Sequence, residues 1–402
     1  PLLPVAHHDL VQINNLINHM IHTESNISWT EANETRTAIW HSENKAPAPK
    51  RIQVVDDTIN ADHAYKLACE GTALLWRGDF HNAKQLLQAL TRRVEHKKAK
   101  NKVNQDKMSK EIDAAQSFHL HRKEQVHKTR ILGMLLVCLE PDFSLQLRRA
   151  PDIKEACIEV YGPRITPTII SLRELLGVIG AHEWRKNGIE ISALGTKIHP
   201  HYGVFSPIRG EYLDLIAKAP LPSTELAFDI GTGSGVIASL LAKRGVKKII
   251  ATDLDQRALH CAQQNIEKLD LCSQVELRQQ NLFPEGKAPL IVCNPPWIPA
   301  KPSSSIEYAV YDPDSQMLKN FLALVGSHLS PGGEAWLIMS DIAEHLGLRT
   351  KEEFWKWIDE AELQVIGKLD IRPRHKKATD MNDPLHLARA AEITSLWRLK
   401  NK

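Results

Sequence analysis

Leu226-Ala227-Phe228-Asp229-Ile230-Gly231-Thr232-Gly233-Ser234-Gly235-Val236 decides how this chain of 402 residues folds. The stretch opens as a short apolar strand, turns through three glycines and runs from Val236 to Arg244 with an apolar helical pattern. Glycines let a backbone turn tightly and approach a ligand closely, and the first N–H groups of the helix have no partner inside it. A strand, a glycine loop and a helix in that order make a site for an adenosine-bearing ligand. The nicotinamide fingerprint spaces its glycines G-x-G-x-x-G, but here the third glycine comes one position early. Asp229 also stands beside the loop, where a carboxylate repels a pyrophosphate but suits a ligand carrying an amino group and a sulfonium. An oxidoreductase is therefore disfavoured.

The pattern continues outward from this stretch. Apolar runs at Lys248–Thr252, Val275–Gln279 and Leu290–Cys293 alternate with helical ones such as Arg257–Leu269, which predicts a parallel sheet with crossover helices. The tail adds a helix, a strand over Glu334–Met339, another helix and two closing strands. The second strand ends in Asp253, followed by Leu254; an acid there accepts hydrogen bonds from ribose hydroxyls. The third ends in Asn281-Leu282-Phe283, an amide for the adenine amine and an apolar side chain for the ring face. The fourth ends in Asn294-Pro295-Pro296-Trp297. Each proline pushes the residue before it out of the helical region, so the Asn294 side-chain carbonyl and the Pro295 backbone oxygen are held rigidly. Together they can accept two N–H bonds from one planar nitrogen, with Trp297 as a flat stacking face.

This set, in this order and spacing, resembles the class I methyltransferases that carry N-P-P followed by an aromatic residue. That group includes release-factor glutamine N5-methyltransferases and adenine N6-methyltransferases of DNA and RNA. The segment Tyr202–Tyr212 is also similar to theirs, and in that family it closes over the methionine end of the cofactor. The chain departs from them at Trp297, where tyrosine is usual, and at Asn281, where aspartate is usual. The resemblance covers about residues 190–402. It implies an α/β fold: a Rossmann-like seven-stranded methyltransferase sheet whose last strand is antiparallel. It also implies S-adenosyl-L-methionine as cofactor, held by Asp229, Gly231, Thr232, Gly233, Gly235, Asp253, Leu254, Asn281, Leu282 and Asn294. Asn294, Pro295 and Trp297 form the catalytic set. Phe205, Arg209, Tyr212, Tyr308, Tyr311 and Arg374 are the expected acceptor-binding residues. The last three lie on the segments 298–312 and 372–391, which leave the carboxyl edge of the sheet as a rim.

Residues 1–188 read differently. An amphipathic helix is expected over 9–22, where Leu10, Ile13, Leu16, Ile17, Met20 and Ile21 recur at helical spacing, and a linker closes this first part at about residue 50. Residues 51–188 read as an all-helical accessory or substrate domain, with the methyltransferase domain over 189–402. Residues 92–130 hold twelve Lys and Arg, five Asp and Glu and four His. That charge suits either a solvated helix pair or a footprint for RNA or an acidic partner, and no aromatic interleaving supports the RNA version.

Six scattered cysteines without a C-x-x-C pair suit reduced thiols in a cytoplasmic protein. No apolar run is long enough to cross a bilayer. His119-x-His121 and His199-x-His201 lack the companions of a metal site. The expected reaction is N-methylation of a protein glutamine or a nucleic-acid adenine, so the acceptor is a protein or RNA. The alternatives are N-methylation of a small molecule, or a binding module that keeps the cofactor fold without turnover.

Overall fold

The computed structural model describes residues 25–106, 113–207, 210–303, 305–374, 380–381 and 383–402. The helix expected over 9–22 lies outside these residues, as do Arg209 and part of the basic stretch. The chain divides into two units, one of residues 1–109 and 125–179 and the other of 110–124 and 180–402.

In the first unit six strands form one mixed sheet. They are β1 (Ser25–Glu31), β2 (Glu34–Trp40), β3 (Arg51–Val55), β4 (Thr72–Trp76), β5 (Leu135–Leu139) and β6 (Thr168–Ser171), in the order β1-β2-β6-β5-β4-β3. The hairpin β1–β2 turns through Ala32 and Asn33, both at positive φ, the geometry that matches strand twist in a two-residue turn. β3, β4 and β5 run parallel. The helix Ala61–Cys69 crosses between β3 and β4, and its first turn is capped by the Asn60 side chain.

The expectation of an all-helical domain is thus overturned. β4 is buried along its whole length and β5 almost so. A strand covered on both faces shows a continuous apolar run, which periodicity cannot tell from a buried helix. In the sequence the helical spacing of Ala64, Leu67 and Ala68 runs straight into Leu74-Leu75, so β4 reads as a continuation of the helix.

The second unit carries β9 (Leu226–Ile230), β10 (Lys248–Asp253), β11 (Val275–Gln279), β12 (Ala288–Cys293), β13 (Leu329–Ser340), β14 (Leu363–Ile371) and β15 (Thr394–Asn401), preceded by a small hairpin of β7 (Ile189–Ile191) and β8 (Thr196–Ile198). The seven strands lie in the order β11-β10-β9-β12-β13-β15-β14. All neighbours are parallel except at β15, which is antiparallel to both β13 and β14. This is the expected seven-stranded sheet with its last strand reversed.

Successive side chains alternate between two cores. Ala227 and Val292 join the helices Val236–Lys243 and Gln256–Lys268 on one face, while Phe228 and Ile291 join Gln316–His328 and Lys351–Glu360 on the other. The strand order reverses between β9 and β12, and the crevice at their carboxyl ends is where such sheets bind ligands. Their register ends with Cys293 opposite Ile230, so Asn294 and Gly231 leave the sheet side by side.

Candidate active site

Asp229 is fully buried at the end of β9. Its Oδ2 accepts the Thr232 hydroxyl at 2.6 Å and the Ala238 amide at 3.0 Å. Its Oδ1 has no hydrogen-bond partner among the described residues. Burial pushes the carboxyl up to about 7, and the negative charge of Asp253 adds to the effect. A buried oxygen without a donor is costly, and an ammonium group would supply one.

The three glycines of the loop all take positive φ, at +71° for Gly231, +56° for Gly233 and +79° for Gly235, but they serve different ends. A Cβ on Gly235 would come within 3.1 Å of the Ala262 Cβ, so this glycine lets two helices pack closely. A Cβ on Gly233 would meet nothing within 4 Å. That is open space over the loop. The Gly233 amide donates to Asp253 Oδ2 at 2.9 Å, and the Asp255 amide donates to Oδ1 at 2.9 Å. Burial holds the Asp253 carboxyl above its ordinary value. Leu254 is exposed. Thr252 ties the second and third strand ends together, its hydroxyl donating to the Leu282 carbonyl at 2.6 Å. Asn281 is exposed beside it.

At the end of β12 the Trp297 indole N–H donates to Asn294 Oδ1 at 3.0 Å. The Tyr212 phenol lies beside the same asparagine side chain and close enough to Asp229 to feel its charge. Tyr212 is buried and comes from the helix Glu211–Lys218; burial raises its phenol well above its usual value. Two residues expected to grip the acceptor are therefore set against Asn294 itself. Trp297 is not a free stacking face: it is partly buried against three hydrophobic clusters. Its indole orients the Asn294 amide, and one lone pair of the oxygen stays available.

The remaining expected acceptor residues separate. Phe205 is half-buried and Tyr308 is exposed. Tyr311 lies beneath the Arg122 guanidinium, 4.2 Å from its ring centre. The Arg374 backbone N–H donates to Glu211 Oε1 at 2.7 Å, which ties the connection after β14 to the helix that carries Tyr212. Segments 298–312 and 372–391 both feed one small core, in which Ile298 and Tyr311 pack around Phe118, Ile342, Leu385 and Ala388.

Phe118, Arg122 and Glu307 were not expected in this region. Phe118 is the one aromatic residue in the charged stretch 92–130, and that isolation was the available signal. His199 and His201 bond to Arg185 and Gln264. Among the described residues no cluster of His, Cys, Asp or Glu could hold a metal ion.

Residues 196–354 match the family model described as Methyltransferase small domain. That stretch is thus similar to methyltransferase domains. A tRNA1(Val) (adenine(37)-N6)-methyltransferase of Shewanella sp. (strain W3-18-1) is 27% identical over 39% of this chain and 66% of its own length. Release factor glutamine methyltransferases of Cereibacter sphaeroides and Koribacter versatilis are 38% and 33% identical, over 31% and 28% of this chain and 43% and 44% of their own lengths. The chain spans less than two thirds of each of these relatives. The residues present fit S-adenosyl-L-methionine as cofactor. Asp229 Oδ1 suits its ammonium group, the space over Gly233 leaves it room, and Asp253 suits its ribose hydroxyls.

Proposed function

We propose that this chain methylates a planar nitrogen, either the side-chain amide of a protein glutamine or the exocyclic amine of an adenine in nucleic acid. The observation that carries the reading is Asn294, aligned by the Trp297 indole at the switch point of the sheet, next to the glycine loop. When bound, the cofactor supplies the methyl group as a reactive sulfonium electrophile.

The protein's own part is orientation and hydrogen bonding. An amide or aromatic amine is a weak nucleophile because its lone pair is delocalised. The Asn294 Oδ1 lone pair left free by Trp297 and the Pro295 carbonyl accept its two N–H bonds and favour a pyramidal nitrogen. That helps the transition state more than the ground state. The ring of Trp297 backs Asn294 and keeps the amide from rotating. The cysteines described are free thiols, which suits a reducing compartment, and we place the reaction in the cytoplasm. No helix of the described residues is long and apolar enough to cross a membrane.

Mass spectrometry of RNA and protein from a strain lacking this chain, with and without the gene restored, tests the acceptor class. The expected result is one adenine or glutamine whose methylation returns with the parent and not with Asn294→Ala. In calorimetry that variant should keep its S-adenosylmethionine affinity within a few-fold. Methylation restored to a carbon or an oxygen would overturn the reading.

A further inference from the structure

The segment that follows Trp297 is held in shape by a residue far away in the sequence. Arg122 donates to both carboxylate oxygens of Glu307, at 2.9 and 3.1 Å, and to the Lys301 carbonyl at 2.8 Å. Its guanidinium also covers the Tyr311 ring at 4.2 Å. One side chain thus grips three points of residues 298–312. Glu307 is preorganised for the grip, since its Oε2 also accepts the Ser303 amide and hydroxyl, each at 2.7 Å. The segment is closed on itself by the Asp312 amide donating to the Ile298 carbonyl at 2.9 Å. Phe118, one helical turn before Arg122, is 1% exposed in the small core beneath Ile298 and Tyr311. The Arg122 and Glu307 side chains are only 15% and 26% exposed, so solvent screens this forked pair less than an open surface pair.

We propose that Arg122 is a positioning residue for the methyl acceptor: with Glu307 it fixes the shape of the segment 298–312, which borders Asn294 and receives the acceptor. The proposal rests on the planar-nitrogen reading only for where the acceptor enters. A planar fork that bonds a carboxylate, a carbonyl and a ring face at once is a task for arginine and not for lysine. Arg122 touches none of the residues that fit the cofactor, so its loss should leave cofactor binding alone.

The test uses the full chain with Arg122→Ala, Arg122→Lys, Glu307→Gln and the double variant Arg122→Ala with Glu307→Gln. Activity is followed as tritium transferred from labelled S-adenosylmethionine into RNA and, separately, into protein extracted from a strain lacking this chain. Arg122→Ala should raise the apparent KM for the labelled fraction about tenfold or more, with kcat within about threefold and cofactor affinity unchanged. Arg122→Lys should recover only part of the loss. The double variant should be no worse than the worse single one, because both remove the same grip.

Hydrogen exchange on the same proteins gives a readout that needs no acceptor. In Arg122→Ala the amides of 298–312 should exchange at least tenfold faster, with β9 to β13 unchanged. Labelling of neither fraction by the parent would fail the planar-nitrogen reading while exchange still judged the clamp. Unchanged exchange in 298–312, or a fall in kcat and cofactor affinity with KM intact, would overturn the proposal.

Discussion

At the scale of single residues, the proposed site is organised around three side chains set toward ligands, Asp229, Asp253 and Asn294, and several that hold them. Asp229 has a folded-state pKa of about 7 against an ordinary 3.8, raised mainly by burial. An acid raised in this way binds its proton more tightly folded than unfolded. Its contribution to stability is complete below the ordinary value and fades as pH rises toward about 7. Without cofactor, the parent should therefore lose more stability than Asp229→Asn between pH 5 and pH 8 in urea unfolding. Cofactor affinity should run the other way, strengthening as pH rises through about 7, because an ammonium group needs the ionised carboxylate. Calorimetry across that range should show the slope in the parent and a weak, flat profile in Asp229→Asn; a parallel profile in the variant would remove Asp229 from this role.

Trp297 allows a finer cut. Trp297→Phe keeps most of the ring and deletes the N–H that aligns Asn294. One ordinary hydrogen bond contributes about 1 kcal/mol, so turnover should fall roughly fivefold with cofactor affinity unchanged. An unaltered rate would mean that the indole N–H does not align the amide. These roles divide sharply in legibility. The places of Asp229, Asp253 and Asn294 could be read from spacing because each lies at a strand end. That the Trp297 indole turns onto Asn294, with Tyr212 beside it, could not, because that depends on which way two rings turn after the chain has packed.

At the scale of elements, the glycine loop shows how one motif serves packing and binding together. Gly235→Ala brings a Cβ to 3.1 Å from Ala262 while keeping a left-handed backbone. Strain and overpacking together should cost roughly 2–4 kcal/mol, seen as a lower urea midpoint. Gly233→Ala meets no neighbour within 4 Å; it should cost only about 1 kcal/mol of backbone strain and act mainly by weakening cofactor binding. If the two variants exchanged these effects, the division of labour would be wrong.

The same scale explains what the sequence hid. The second sheet was legible because short apolar runs alternate with helical ones from β9 onward, with the glycine loop after β9 and Asn294-Pro295-Pro296 after β12 marking two strand ends. The first sheet was not, because β4 and β5 read as helix. Yet β1 does alternate, with Ile27 and Trp29 buried between exposed neighbours, and that pattern was the available clue.

At the scale of the whole molecule, each unit has its own hydrophobic core, with Leu136 at the centre of the first sheet and Phe118 in the small core of the second unit. Truncating a fully buried phenylalanine costs about 3–5 kcal/mol, and truncating a leucine about 2–5 kcal/mol. Phe118→Ala should therefore speed hydrogen exchange throughout β9 to β13 and spare β3 to β5. Leu136→Ala should do the reverse. If both variants loosened both sheets equally, the chain would unfold as one cooperative body.

The second unit is also not a single run of chain: residues 110–124, with Phe118 and Arg122, belong to it although residues 125–179 belong to the first. A gene fragment opening at codon 180 would encode the whole seven-stranded sheet yet lack the pin for the segment after Trp297. Recombination that exchanged the front half for another partner would carry that pin away with it. A chimaera that kept the clamp would have to carry residues 110–124 along with 180–402, or rebuild Phe118 and Arg122 in its new front half.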